Sequence, residues 1–427
     1  MDQHGWSVFF SPFFHAHMIK WMYMESVRKR GIGFMTFFQL LCIVLGVLLL
    51  ASGWALSYVT RGRVRTVSTL VLIAVDLVAL LAFFLGGKHP EWHLADHAGV
   101  PDALQVLTVV FMAQVVLVTL VVAGVLVRWG YRHRPGRRKG FLFPSTPFDP
   151  SRRRLLKGAA AFPVVAFGAG FYGEAIERNR TVVREYSVPV RSLPDSVQGL
   201  RIAQLSDVHI GMFYPLERLE KLLEKTVAQK PDLIAITGDL FDDDHINAEA
   251  AALLGRFTDR VPHGIWFVLG NHEHFRNLPR TLDALKETQV HLLVNRAEAV
   301  EGVENLWIVG TDFPMNRNKE IFQKDKAMMA EKAFEHVPED VVRIYLGHHP
   351  ESIDDGAAHG AAITLTGHTH GSQFGVLGMP VFPVFKYTRG FVHIGGSTGY
   401  VHSGNGSWFP CRIGCPPEIA VFTLRQA

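Results

Sequence analysis

Cysteine is nearly missing from this chain, with three among 427 residues, so a disulfide-stapled scaffold is excluded. Cys42 lies in an apolar run and reads as a small packing or lipid-facing residue. Cys411 and Cys415 share the stretch Pro-Cys-Arg-Ile-Gly-Cys-Pro-Pro. Without a second cysteine pair that spacing carries no zinc signature. The two thiols either close a disulfide in an oxidising compartment or stay free. No internal repeat or low-complexity tract occurs, which excludes a solenoid or a disordered tail. The C-terminal half also lacks a basic groove interleaved with aromatics, so no nucleic-acid partner is expected despite a net charge of +4 and a pI near 8.9.

Much of the positive excess sits beside long apolar runs. Residues 1–32 form an aromatic and Met-rich segment ending in Arg28-Lys29-Arg30, and Pro12 argues for an interfacial piece over a span. Within 33–130, the runs 34–59, 67–87 and 104–128 each meet the length of about 20 residues needed for a membrane helix. Asp76, an acid inside them, reads as a polar packing contact. Residues 131–178 make a basic linker and a fourth apolar stretch, Gly158 to Tyr172. Its leader, Ser151-Arg-Arg-Arg-Leu-Leu-Lys157, is either a twin-arginine-like export motif or a basic membrane flank. Either reading puts 151–157 in the cytoplasm. The positive-inside rule then makes the chain a multi-pass membrane protein with residues 179–427 on the extracytoplasmic side. The Arg28–Arg30 cluster disagrees with that topology.

From residue 179 the composition is that of a soluble domain. Short apolar runs at 200–205, 233–237, 265–269, 290–294, 306–309, 342–346, 362–365 and 419–424 predict strands. Stretches at 216–229, 248–257 and 278–288 have helical periodicity. The alternation predicts an α/β core with two sheets. Five of the strands end in a similar way. Asp207-Val-His209 closes the first, and side chains i and i+2 of a strand share one face, so carboxylate and imidazole can meet one ion. Then come Gly238-Asp239-Leu-Phe-Asp242, Gly270-Asn271-His272-Glu273, Gly347-His348-His349-Pro350 and Gly367-His368-Thr-His370. Ligand-type residues gathered at strand ends suit an α/β protein, which binds at the carboxyl edge of its sheets. Mixed oxygen and imidazole donors suit manganese, iron or zinc better than calcium.

These five blocks, in this order, resemble the calcineurin-like metallophosphoesterases, whose pattern is D-x-H, G-D-x-x-D, G-N-H-(D/E), a His, and G-H-x-H. The resemblance covers about 195–425. It implies a two-sheet α/β/β/α sandwich, preceded here by the helical transmembrane region, and a metal-dependent phosphoric ester hydrolase with two divalent metal ions. Asp239 would bridge them. Asp207, His209 and His370 would complete one site, and Asn271, His368 and His348 the other, with His349 as the alternative to His348. A metal-bridging hydroxide would attack phosphorus, and His272 would face the substrate as proton donor. Asp242 and Glu273 are expected behind the ligands, orienting imidazoles. The anchored architecture and the Arg412–Ile419 stretch look most like the membrane-associated bacterial branch, some of whose members act on lipid-related substrates such as the pyrophosphate of UDP-2,3-diacylglucosamine. The expected partners are thus a phosphorylated small-molecule or lipid substrate and the lipid bilayer; the oligomeric state is left open. A membrane sensor or scaffold binding a phosphorylated ligand without turnover is the alternative. Among Phe382, Phe385 and Tyr387, core packing is the expected role, with an apolar wall beside the site as the other reading.

Overall fold

The computed structural model describes residues 162–427 apart from 212, 317, 377, 382 and 408–410, and scattered helical positions between 51 and 129. The N-terminal segment, most of the three expected spans and the arginine-rich motif lie outside the described residues. The chain divides into two compact units, Met1–Ile176 and Glu177–Ala427. In the first, Ser52 Oγ donates to Gln114 Oε1 (3.1 Å), so the segments carrying these residues pack together. The fourth apolar stretch forms helix α1, Phe162–Phe171. Among the described residues no helix is long and apolar enough to cross a membrane.

The second unit holds two six-stranded sheets. One has the order β1 (Val182–Val190), β14 (Glu418–Gln426), β2 (Arg201–Leu205), β3 (Leu233–Thr237), β4 (Ile265–Val268), β5 (His291–Leu292). The other runs β12 (Gly390–Ile394), β13 (Ser397–Val401), β9 (Ile363–Thr366), β8 (Val342–Leu346), β7 (Leu306–Gly310), β6 (Arg296–Ala299). β2 to β5 are parallel, as are β7, β8, β9 and β13. A small antiparallel ribbon joins β10 (Gly375–Val376) to β11 (Met379–Pro380).

The central strands read as unbroken apolar runs because both of their faces are covered. Along β3, Leu233 and Ala235 enter the core between the sheets, while Ile234 and Ile236 enter the core under the helices. β4 repeats this with Trp266 and Val268 inward, Ile265 and Phe267 outward. That outer core is closed by α2 (Leu216–Val227), α3 (Asn247–Thr258) and α5 (Leu278–Lys286), which follows the short α4 (Asn271–Phe275). On the far side α6 (Lys319–Phe334) covers the second sheet through Ala333 and Phe334 against Val309 and Tyr345, and α7 (Ser352–Ala358) follows β8. The result is the expected two-sheet α/β sandwich. β1, β6, β12, β13, α4, α6, α7 and the small ribbon escape the periodicity argument. β1 is interrupted by Arg184, Glu185 and Pro189, tolerable because β1 is an edge strand paired only with β14. α6 has little amphipathic contrast, since Lys and Glu are interleaved with Ile, Phe and Met on every face. In the β12–β13 hairpin, the burial of β12 alternates while β13 is buried throughout.

Candidate metal centre

The parallel strands deliver their carboxyl ends to one place. β2, β3, β4, β8 and β9 stop at residues 205, 237, 268, 346 and 366, and the loops that follow carry the predicted ligands. The backbone there is forced. Asp207 (φ 52°), His209 (51°), Asp239 (55°), His368 (72°) and His370 (50°) all adopt left-handed conformations. Such strain costs of order 1–3 kcal/mol per residue and persists where the surroundings impose it, typically at functional sites. Two glycines make the close approach possible. A Cβ on Gly238 (φ 83°) would meet Gly270 N and His348 Nδ1 at 2.7 Å, and one on Gly270 would run into Asp239 itself.

Three groups of side chains converge, each with its ligand atoms within 4.8 Å: Asp207, His209 and His370; His209, Asp239 and His272; Asp239, His348 and His368. His209 Nε2 stands 3.0 Å from His370 Nε2, and His370 Nε2 is 3.5 Å from Asp207 Oδ1. On the other side His348 Nε2 is 3.1 Å from Asp239 Oδ2 and 3.2 Å from His368 Nδ1. Asp239 Oδ2 also lies 3.8 Å from His209 Nε2, so Asp239 belongs to the second and third groups, and His209 links the second to the first. Asn271 is buried at the start of α4. The next residue, His272, donates its backbone N–H to Asp239 Oδ1 (2.8 Å), so the first turn of α4 lies against the second group. His349 is placed differently. Its Nδ1 accepts from Glu351 N, and its ring packs against Phe322 and Phe385.

The outer nitrogens of His348 and His209 are held as metal-ligating histidines require, so that the other ring nitrogen keeps its lone pair for a cation. His348 Nδ1 donates to the Thr237 carbonyl (2.6 Å), and His209 Nδ1 lies 3.2 Å from Asp242 Oδ2. Burial, then the charge of His348, pushes His368 down to about 3. Burial and His209 hold His370 well below the usual imidazole range. His368 is therefore neutral and available as a donor. Burial would lower His348 as well, but the Asp239 carboxylate beside it raises it to about 9. A divalent cation would compete for that same lone pair. The donor chemistry of these buried carboxylates and imidazoles fits divalent cations.

His272 sits at the edge. Its Nδ1 is 2.8 Å from Asp242 Oδ1, and its ring meets that of His209 edge-on at 4.4 Å. Burial lowers its pKa, but Asp239 and then Asp242 raise it to about 9. Asp242 would be raised by burial. Its contacts with His209 and His272 instead hold it well below the carboxylate range.

Glu273 does not orient imidazoles, contrary to expectation. Its buried carboxylate accepts four backbone N–H groups: Oε1 from Leu240 (2.7 Å) and Phe241 (2.9 Å), Oε2 from Asp239 (3.0 Å) and Gly270 (2.7 Å). It fixes the two Gly-containing loops, one from β3 and one from β4. Cys411 and Cys415 are both buried and are not joined to each other in a disulfide. Phe385 is not a core residue. Half-buried, it borders the site with its ring 5.0 Å from that of His368. Two further residues were not legible as site components. Asn405 clamps the first loop, accepting from Ser206 N (2.9 Å) and donating its own backbone N–H to Ser206 O (2.8 Å). Arg412 lies in the stretch noticed for its cysteines. His245 is exposed; His274, His291 and His359 pair with Asp312, stack on Trp266 and stack on Phe334.

Residues 200–372 match the calcineurin-like phosphoesterase family. The uncharacterized metallophosphoesterase YkuE of Bacillus subtilis is 29% identical over 291 residues, covering 65% of this chain and 98% of that protein. The uncharacterized metallophosphoesterase Cj0846 of Campylobacter jejuni is 29% identical over 241 residues, covering 55% of this chain and 61% of its own length. A Danio rerio protein named as a transmembrane protein with metallophosphoesterase domain is 27% identical over 253 residues, 57% of each chain.

Proposed function

We propose, for a chain that belongs to the calcineurin-like phosphoesterases and is therefore a phosphoester hydrolase, that it is a binuclear metal-dependent enzyme, anchored in a membrane, cleaving a phosphoester or pyrophosphate bond of a lipid-linked substrate. The observation that carries this reading is the sharing of Asp239 between two ligand groups, with His272 anchored beside them. Asp207, His209, Asp239 and His370 would hold one cation, and Asp239, Asn271, His348 and His368 the other. When bound, the pair supplies Lewis acidity, making water nucleophilic at neutral pH and neutralising phosphoryl oxygens. The chain's own part is to orient and to move a proton. Asp242 holds the His272 ring through Nδ1, and His272 delivers a proton to the departing oxygen, an effect worth about 100- to 10,000-fold.

The lipid-linked part rests on the flank beyond His368. There Phe313, Phe322 and Phe385 pack around His349 and His368. Val376, Met379 and Val381, in and just after the neighbouring ribbon, are left in solvent, Met379 at 66% exposure. Phenylalanines bordering the site, with exposed apolar side chains a few residues beyond His370 in the chain, suit a substrate with an apolar moiety. The anchoring part rests on basic clusters beside the apolar runs of residues 33–130 and on relatives named as transmembrane proteins; the catalytic unit is assigned to the extracytoplasmic side. Hydrolysis by the full chain with Mn²⁺ tests the reading, comparing bis(4-nitrophenyl) phosphate with a pyrophosphate-linked glycolipid in mixed micelles. Turnover of both, with preference for the glycolipid, is expected. A protein that binds these compounds but turns over neither would be a sensor or scaffold. A reporter fused after Ala427 tests the topology: periplasmic-type activity is expected, and cytoplasmic activity would overturn it.

A further inference from the structure

Arg412 is fully buried, at 0% exposure. Its guanidinium donates to the carbonyls of Ser403 (2.8 Å), Cys415 (3.0 Å) and Gly406 (3.0 Å), to Ser407 Oγ (3.0 Å), and more distantly to the His370 carbonyl (3.4 Å). Every one of these acceptors is neutral. A guanidinium removed from water without a carboxylate in contact is costly unless its charge is offset nearby. Part of the offset lies in the first ligand group, through Asp207, beside the contributions of Cys415 and Glu418. A Cβ placed on Gly404 would meet Arg412 Nη2 at 2.9 Å, His370 Nδ1 at 3.1 Å and Asp207 Cβ at 3.2 Å, so guanidinium, imidazole and acid crowd around one point.

The outer nitrogens of the histidines differ accordingly. That of His209 faces the Asp242 carboxylate and that of His348 the Thr237 carbonyl. Acceptors in that position raise the basicity of a ligating ring. The outer nitrogen of His370 faces Arg412 Nη2 at 3.4 Å instead, and arginine can only donate. We infer that Arg412 is a positioning residue that makes the cation site at Asp207, His209 and His370 the weaker, exchangeable one of the two. Its charge balances Asp207 when that cation is out and repels the cation when it is in. Meanwhile its fork ties the 403–407 loop to His370. The inference rests on the two-cation reading above.

Manganese titration of the metal-stripped full chain, with free Mn²⁺ followed by electron paramagnetic resonance, tests it. The wild-type protein is expected to bind in two steps at least about tenfold apart, the size of effect typical for groups behind metal ligands. His370→Ala should remove the weaker step. Arg412→Gln, which removes the charge, should narrow the gap to about threefold or less, whereas Arg412→Lys should keep it. Two steps of equal affinity, loss of the tighter step in His370→Ala, or equal behaviour of the Lys and Gln variants would each overturn the inference. If the Gln variant fails to fold, the wild-type and His370→Ala titrations still decide. No binding of Mn²⁺ by the wild-type protein would instead sink the two-cation reading itself.

Discussion

Asp242 and His272 stand 2.8 Å apart, carboxylate Oδ1 to ring Nδ1, while the other oxygen of Asp242 faces His209 Nδ1 at 3.2 Å. One acid therefore orients both a candidate ligand and the candidate proton donor, and the two roles should fail together. Asp242→Asn presents an N–H to one of two rings that must themselves donate. It should lower kcat/KM about 10- to 100-fold and weaken Mn²⁺ binding by a similar factor, read from rates measured across a manganese series. An unchanged manganese dependence would show that Asp242 serves His272 alone.

Asp239 contributes to two of the three ligand groups. Asp239→Asn should lose at least about 1,000-fold in hydrolysis, since on the proposed reading both cations would lose a charged ligand and Lewis-acid activation with it. Chelation of the wild-type protein should lower its melting temperature, because ions that bind only the folded state stabilise it by mass action. Differential scanning fluorimetry with and without Mn²⁺ checks both points, the Asn variant showing little or no shift.

Glu273 accepts four backbone N–H groups in the interior. Glu273→Gln replaces one accepting oxygen with an amide that faces two donors, leaving at least one of them unpaired in the interior. A loss of about 2–4 kcal/mol is expected from urea unfolding of the full chain. A loss below about 0.5 kcal/mol would mean that the loops from β3 and β4 hold each other without it.

Glu418 gives the fold an acid limb. Burial alone would raise its pKa, but His402, the Ser403 N–H and Arg184 together hold it below the usual carboxylate value. Its Oε1 accepts from Tyr400 (3.0 Å) and from Ser403 N (2.9 Å), and Oε2 pairs with Arg184 (2.9 Å). A depressed folded pKa means that the stabilisation is fully present above the unfolded value, about 4.3, and fades as pH falls toward the folded one. Thermal melts at descending pH should therefore show Glu418→Gln less stable than wild type at pH 7, with the difference shrinking below about pH 4. A constant difference across that range would refute the assignment.

The strands, the three helices over the first sheet and the residues at the strand ends were readable because each obeys a local rule: period, turn residue or ligand chemistry at a fixed spacing. β1, α6 and the β12–β13 hairpin were not, since their burial is imposed by neighbours distant in sequence. The sequence alone determined which side chains could ligate, because donor chemistry belongs to a residue type and parallel strands carry their ends to a common edge. Tertiary structure decided the choices among chemically equal candidates. His348 and His349 are adjacent and identical, yet only His348 turns its ring to Asp239, with its other nitrogen fixed on Thr237. Glu273 could have faced an imidazole, but four backbone N–H groups converge on it. Arg412 could have been a surface charge, and the loop closing over Asp207 buried it behind His370. Such choices depend on where two sheets bring their loops together, which no local stretch encodes.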